Sequence, residues 1–246
     1  MRSVVGPLHH FSRLLISNVF FVDGGPGDRW LIDTGHWSER PTLLWELRRT
    51  GFRPSEITGV LLTHRHSDHA GNAAFLQRRF GMKVYAHRED AAVLDGTLPQ
   101  PMLRGLRGGS PVAWAIAQFE NVRPATRLRI DRALEDGDTA AGLEVHWMPG
   151  HTDGSVFYRH APTKTVLSGD MLLAAIPPLT LVQRMALPYP TFSRDLEQAF
   201  DSLRRFHREG PHYENLLAGH GRPVLGGAHE AATELLARAD RRRRSS

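Results

Sequence analysis

The chain contains no cysteine. That excludes disulfides, thiolate metal sites and a cysteine nucleophile. No run approaches the roughly 18 consecutive apolar residues that a membrane-spanning helix needs. Met1 to Ser12 lacks the basic, apolar and small-residue layout of a secretory leader, and the expected compartment is the cytoplasm. A basic face is missing too. The formal charge is +5, but the arginine run 241–244 supplies four of those positives and the rest is nearly balanced. A nucleic-acid partner is therefore not expected, and residues 241–246 read as a solvated, frayed basic tail. There are no repeats and no low-complexity linker, so residues 1–240 read as one domain.

What is present is a core and an excess of histidine. Of 246 residues, 41% are apolar, enough to bury a sizeable interior. Histidine numbers 14. With no thiolate available, a transition-metal site here must be built from His with Asp or Glu.

Short apolar runs bounded by turn residues predict strands at 14–22 (LLISNVFFV), 30–33, 59–63 (GVLLT), 83–86, 127–130, 143–148, 155–158, 165–167 and 215–218. Helices are predicted at 41–50, 70–80 and 193–208, the last with Ser193 as N-cap. Helices placed between groups of strands imply an α/β layered sandwich. Residues 96–124 and 172–192 fit this pattern poorly. Both mix Pro with apolar residues and read as insertions.

The segment Thr63-His64-Arg65-His66-Ser67-Asp68-His69 follows the GVLLT strand and precedes a helix. Alternate residues of an extended segment point the same way, so His64 and His66 can share one metal. Asp68 and His69 fall where the chain turns into the helix and can face a second. Further ligand-type residues leave later strands in similar contexts: His151 after Met148-Pro149-Gly150, Asp170 after Ser168-Gly169, and His220 after Ala218-Gly219.

These motifs, with the early Ile32-Asp33-Thr34-Gly35, resemble the metallo-β-lactamase superfamily from residue 32 to residue 220. The resemblance implies a four-layer αββα sandwich with a dinuclear site at one edge. It implies that His64, His66 and His151 hold the first metal, that Asp68, His69 and His220 hold the second, and that Asp170 bridges them. Asp33 would stand behind the ligands. Two Zn²⁺ are expected, with Fe or Mn as alternatives, and a metal-bridging hydroxide as nucleophile. Asp68 and Asp170 are the carboxylates expected to take part in catalysis.

Asp170 stands where class B β-lactamases use another residue, and it matches the glyoxalase II, lactonase and nuclease relatives. His66 departs from the flavo-diiron pattern. The expected reaction is hydrolysis of an ester, thioester or lactone carrying an apolar or acyl part. Alternatives are a phosphodiesterase or nuclease, a mononuclear-iron persulfide dioxygenase, and a non-catalytic metal-binding scaffold. Glutathione thioesters are not favoured, because no basic cluster precedes Arg241. The apolar insertions suggest a hydrophobic mouth lined by Trp114, Ile116, Phe119, Leu172, Leu173 and Ile176. Ordinary core or a homodimer surface is the competing use of those residues. His36 and Trp37 are candidates for the site edge, and Tyr189 for a donor to a substrate carbonyl.

Overall fold

In the strand containing Trp30, Leu31 and Ile32, all three residues are buried. Trp30 and Ile32 join one apolar cluster and Leu31 another. A strand covered on both faces reads as a continuous apolar run, and alternation sends neighbours to opposite sides. Residues Leu61 and Val60 divide in the same way, as do Leu167 and Val166, and Leu217 and Leu216. The result is a four-layer αββα sandwich.

A computed structural model describes residues 1–103, 111–176 and 182–244. Residues 104–110 and 177–181 of the two expected insertions, and residues 245–246 of the expected basic tail, lie outside the described residues. The first sheet has seven strands in the order β1 (Arg2–Val5), β2 (Leu8–His10), β3 (Phe20–Asp23), β4 (Arg29–Ile32), β5 (Gly59–Leu61), β6 (Lys83–His87) and β7 (Arg132–Leu134). Strands β4 to β7 are parallel neighbours. Helices α1 (Arg40–Arg48), α3 (Ala73–Phe80) and α4 (Arg88–Leu94) cover its outer face, with a short α2 (Ser67–Ala70) between α1 and α3 in the chain. Helix α5 (Pro111–Val122) precedes β7.

The second sheet contains β8 (Thr139–Ala140), β9 (Leu143–Trp147), β10 (Val156–His160) and β11 (Thr165–Gly169). A separate hairpin, β12 (Leu173–Ala175) and β13 (Gln183–Ala186), comes next in the chain. Helix α6 (Leu196–Glu209) leads to β14 (Asn215–Ala218), β15 (Val224–Leu225) and α7 (Ala228–Arg244). The six-stranded order is β15-β14-β11-β10-β9-β8, with β11 and β14 parallel. Ala199, Leu203 and Phe206 of α6 and Ala228, Ala232 and Leu236 of α7 pack on its outer face. Full burial of a leucine such as Leu203 contributes about 1.5–3 kcal/mol.

Several elements differ from the sequence expectation. Residues 14–22 are not one strand: β3 begins only at Phe20. Ser17 and Asn18 instead spend their side chains on distant carbonyls, of Asp68 and of Ala218 and Gly221, which holds this stretch as a loop. Residues 127–130 are irregular, and the strand is β7, further on. Asp195, not Ser193, caps α6, its carboxylate accepting from the Gln198 amide at 3.0 Å. The basic run 241–244 is the last turn of α7 and not a frayed tail. Arg243 there pairs with Glu197 of α6. The apolar positions of α7 are few and small, so its pattern is faint. Among the described residues no helix is long and apolar enough to cross a membrane.

Candidate metal centre

Every candidate ligand leaves the carboxyl end of a strand at one edge of the sandwich. His64 to His69 follow β5, His151 follows β9, Asp170 follows β11 and His220 follows β14. Ligands commonly bind at this end of α/β sheets, because the loops there converge. Gly219 is required by close packing. A Cβ on it would lie 2.3 Å from Asp170 Oδ1 and 2.6 Å from His69 Cε1.

The chain brings seven side chains into two groups. His64, His66 and His151 form one, and Asp68, His69, Asp170 and His220 the other. Within each group the nearest ligand atoms all lie within 4.8 Å of one another. The first is a tripod. The ring centroids of His64, His66 and His151 are 4.7–4.8 Å apart, and their planes cross at 74–83°. His66 Nδ1 and His151 Nε2 approach to 3.1 Å, and His64 Nε2 is buried without a hydrogen-bond partner.

The far nitrogens of His64, His151 and His69 are held from behind, and this network assigns their tautomers. Thr63 Oγ1 donates to Asp33 Oδ2 at 2.7 Å, so its lone pair faces His64 Nδ1 at 3.1 Å. Ser193 Oγ donates to the Tyr189 carbonyl and faces His151 Nδ1 at 3.3 Å. His69 Nδ1 donates to Asp33 Oδ2 at 2.8 Å. In each ring the other nitrogen is then free to bind a cation. Such backing is how proteins fix the orientation of metal-binding imidazoles.

In the second group His69 Nε2 lies 3.3 Å from Asp170 Oδ1, and His220 Nε2 lies 3.2 Å from Asp170 Oδ2 and 3.3 Å from Asp68 Oδ2. Asp170 Oδ2 is also 3.8 Å from His151 Nε2, so this carboxylate stands between the groups. With Asp33 holding the Nδ1 proton, His69 Nε2 faces Asp170 Oδ1 across a buried gap that either a second proton or a metal ion can fill.

Electrostatics agree. Burial lowers His64 and His66 well below the usual histidine value, and neighbouring imidazoles push the same way. Burial brings His151 down to about 4. These three are therefore neutral at neutral pH, the form in which an imidazole can bind a metal. Burial would lower His69 and His220 as well, but Asp68 and Asp170 outweigh it, with Asp33 also acting on His69. His69 rises well above its usual value and His220 rises to about 10. Despite burial, those imidazoles hold Asp68 and Asp170 below the usual carboxylate range. The second group is built to hold positive charge. Its donor set, imidazole with carboxylate, suits Zn, Fe or Mn.

The remaining candidates divide. Trp114, Ile116 and Phe119 lie on α5 with 42–46% of their surface exposed. Leu172 and Leu173 are wholly buried. A side chain without exposed surface cannot line a mouth, so these two are core. Ile176 is half-buried. His36 is spent locally, its Nδ1 facing the Ser38 hydroxyl at 2.7 Å and amide at 3.3 Å. Trp37 is covered by the Arg123 guanidinium at 3.9 Å. Tyr189 rests against Phe192, ring centroids 5.6 Å apart, and reaches His151 only through its own carbonyl and Ser193.

Three residues escape the sequence reading. Asp90 accepts from the Arg65 amide and guanidinium, and from Thr152 and Gly154 in the loop of His151. Glu120 accepts from the Ser67 amide and hydroxyl. Leu15, 80% exposed, stands in the loop that Ser17 ties to Asp68. The only local signal was an acid at Glu120, in register with Ala113 and Ala117 on the buried face of α5.

A family model described as the metallo-beta-lactamase superfamily matches residues 12–220. The probable metallo-hydrolase YflN of Bacillus subtilis (strain 168) is 25% identical over 226 residues, covering 88% of this chain and 85% of its own. The hydroxyacylglutathione hydrolase of Pseudomonas syringae pv. syringae (strain B728a) is 31% identical over 151 residues, 59% of this chain and 43% of its own. The crystal structure of TTHA1623 in a di-iron-bound form superposes with a TM-score of 0.61 at 25% identity, covering 97% of each chain.

Proposed function

The chain belongs to the metallo-β-lactamase superfamily of metal-dependent hydrolases, and from that premise we propose that it cleaves a carboxylic ester-type bond, whether ester, thioester or lactone, with two metal ions. The observation that carries the proposal is the convergence of seven ligand-type side chains into two adjoining sets. His64, His66 and His151 would hold one ion, Asp68, His69 and His220 the other, and Asp170 would bridge them. Zn²⁺ is the proposed metal. Fe is an alternative suggested by the di-iron neighbour, and Mn by the donor set. When bound, the ions supply Lewis acidity toward a carbonyl oxygen and an acidified water as nucleophile near neutral pH.

The chain's own residues do the rest. Asp33, Thr63 and Ser193 hold the backs of His69, His64 and His151, so the binding nitrogens cannot rotate away. Asp170 and Asp68 bring two negative charges into the second set and lessen the net charge of the ions. Carboxyl esters are favoured over phosphodiesters by the nearly balanced charge of the body, which gives a polyanion little general attraction. The exposed Trp114, Ile116 and Phe119 offer apolar surface for an acyl part. The partial likeness to a hydroxyacylglutathione hydrolase points to the same bond class.

The test is to load the purified protein with Zn²⁺, Mn²⁺ or Fe²⁺ and count bound metal. Aryl esters, thioesters and lactones of increasing chain length are then assayed beside a bis-aryl phosphodiester and a β-lactam. Two equivalents of metal, chelator-sensitive turnover of carboxyl esters, and kcat/KM rising with chain length are expected. Phosphodiester turnover with none on carboxyl esters would overturn the bond class.

A further inference from the structure

Residues 64, 66 and 68 face the metal-binding side, and residues 63, 65 and 67 face the opposite way. Each of those back-facing residues is gripped by one carboxylate in the same manner. The Thr63 amide donates to Asp33 Oδ1 at 2.8 Å and its hydroxyl to Asp33 Oδ2 at 2.7 Å. The Arg65 amide donates to Asp90 Oδ2 at 2.9 Å and its guanidinium to Asp90 Oδ1 at 2.5 Å. The Ser67 amide donates to Glu120 Oε1 at 3.0 Å and its hydroxyl to Glu120 Oε2. One carboxylate serves each second residue, and all three are buried.

Two of these acids belong to the frame beside the loop: Asp33 follows β4, and Asp90 sits in α4 directly after β6. The third comes from α5, within one of the two segments that read as insertions. Its buried face otherwise carries Ala113 and Ala117, so packing alone would be served by an apolar side chain there. A buried carboxylate is costly unless both oxygens are satisfied, and here Ser67 satisfies both. Ser67 is the first residue of α2, and Asp68 and His69 are the next two. Whatever fixes the Ser67 backbone fixes the direction in which those two side chains leave.

Resting on the reading that the two groups bind metal, we propose that Glu120 is a positioning residue, which ties α5 to the metal-binding loop and holds Asp68 and His69 in place for the second ion. Metal is not touched by Glu120 itself. The link also means that a load on α5 is felt at the second group.

The experiment compares Glu120→Ala and Glu120→Gln with the wild type, by Zn²⁺ titration against a chromophoric chelator and by amide hydrogen exchange of the metal-free proteins. Glutamine keeps an acceptor for the Ser67 amide, and its NH₂ can donate to the Ser67 hydroxyl. The alanine variant is expected to bind the second Zn²⁺ about 10–100-fold more weakly, the usual effect of removing such a backing group, and to exchange the Ser67 and Asp68 amides faster. The glutamine variant is expected to restore both. Should alanine leave too large a void to fold, Glu120→Leu fills the space without an acceptor and carries the same expectation. Wild-type affinity together with wild-type protection in the alanine or leucine variant would overturn the proposal. A wild-type protein that takes up no metal refutes the metal reading instead, and the exchange measurement still decides whether Glu120 holds the loop.

Discussion

Removing the metals should invert the pH dependence of stability above neutrality. In the metal-free protein, Asp68 and Asp170 raise His220 to about 10 and His69 well above its usual value. A histidine titrates near 6.5 in the unfolded chain. Its raised folded value means that the native state binds more protons than the unfolded state between those limits. Stability from these two groups is therefore complete below about pH 6.5 and is lost as pH rises through their raised folded values, about 10 for His220. One such proton costs about 1.4 kcal/mol per pH unit, and two cost about 2.7 kcal/mol per unit. From pH 7.5 to 9 the loss is about 2–4 kcal/mol, against a total stability of roughly 5–15 kcal/mol. For a chain of this size that lowers Tm by about 4–16 °C. His64, His66 and His151 act in the opposite sense below pH 6.5. Their lowered values cost stability as pH falls from about 6.5 toward the value near 4 given for His151. The metal-free protein should thus be most stable near pH 6.5. A bound metal replaces the protons, so the loaded protein should lose little between pH 7.5 and 9. The assay is thermal unfolding from pH 5 to 9.5, with excess chelator or excess Zn²⁺, the loaded form serving as reference for all other groups. A metal-free Tm that stays level or rises from pH 7.5 to 9 would refute the reasoning, as would a parallel fall in both forms.

Asp170→Ala should abolish turnover and release up to one metal equivalent while leaving the far-ultraviolet circular dichroism unchanged, because the carboxylate sits beyond the end of β11. Metal analysis beside the spectrum checks this. Asp90→Ala leaves the wholly buried Arg65 guanidinium without its close partner, with Asp153 3.9 Å away as its remaining carboxylate, and should destabilise by about 3 kcal/mol. Urea unfolding measures it, and Asp90→Ala combined with Arg65→Met should recover part of the loss.

How much of this was legible in the sequence depended on how local each signal is. The two groups draw four of their seven members from residues 64–69, where a strand's alternation and a helix start are written within six positions. His151, Asp170 and His220 were readable because each follows a buried strand through a glycine. The double-faced strands β5, β11 and β14 were readable as short apolar runs. Helix α7 was not, because two of its three buried positions, Ala228 and Ala232, are small, leaving Leu236 as the one large buried side chain in a highly charged helix. Residues 14–22 misled because the run is mostly apolar, while its two polar residues, Ser17 and Asn18, decide its path by bonding residues 51 and 200 or more positions away. Leu172 and Leu173 misled for a related reason: apolar residues near prolines fit a core and a mouth equally well, and only their neighbours distinguish the two.

The back of the metal-binding loop was partly legible all the same. An extended segment that turns every second residue toward a metal must turn the others away from it. Those others cannot reach solvent here, since Thr63, Arg65 and Ser67 are all buried. Each has a backbone amide to satisfy, and each is also of a type that carries a side-chain donor. Threonine, arginine and serine at alternate positions of a buried loop therefore demand acceptors behind it. A carboxylate with two oxygens meets one amide and one side chain at once. Once those three residues are known to be buried, residues 63–67 state the demand; of the answering residues, the sequence points only to Asp33, through the family resemblance, and not to Asp90 or Glu120. Asp33, Asp90 and Glu120 lie 30, 25 and 53 positions from the residues they hold, and only the folded arrangement of β4, α4 and α5 brings them there.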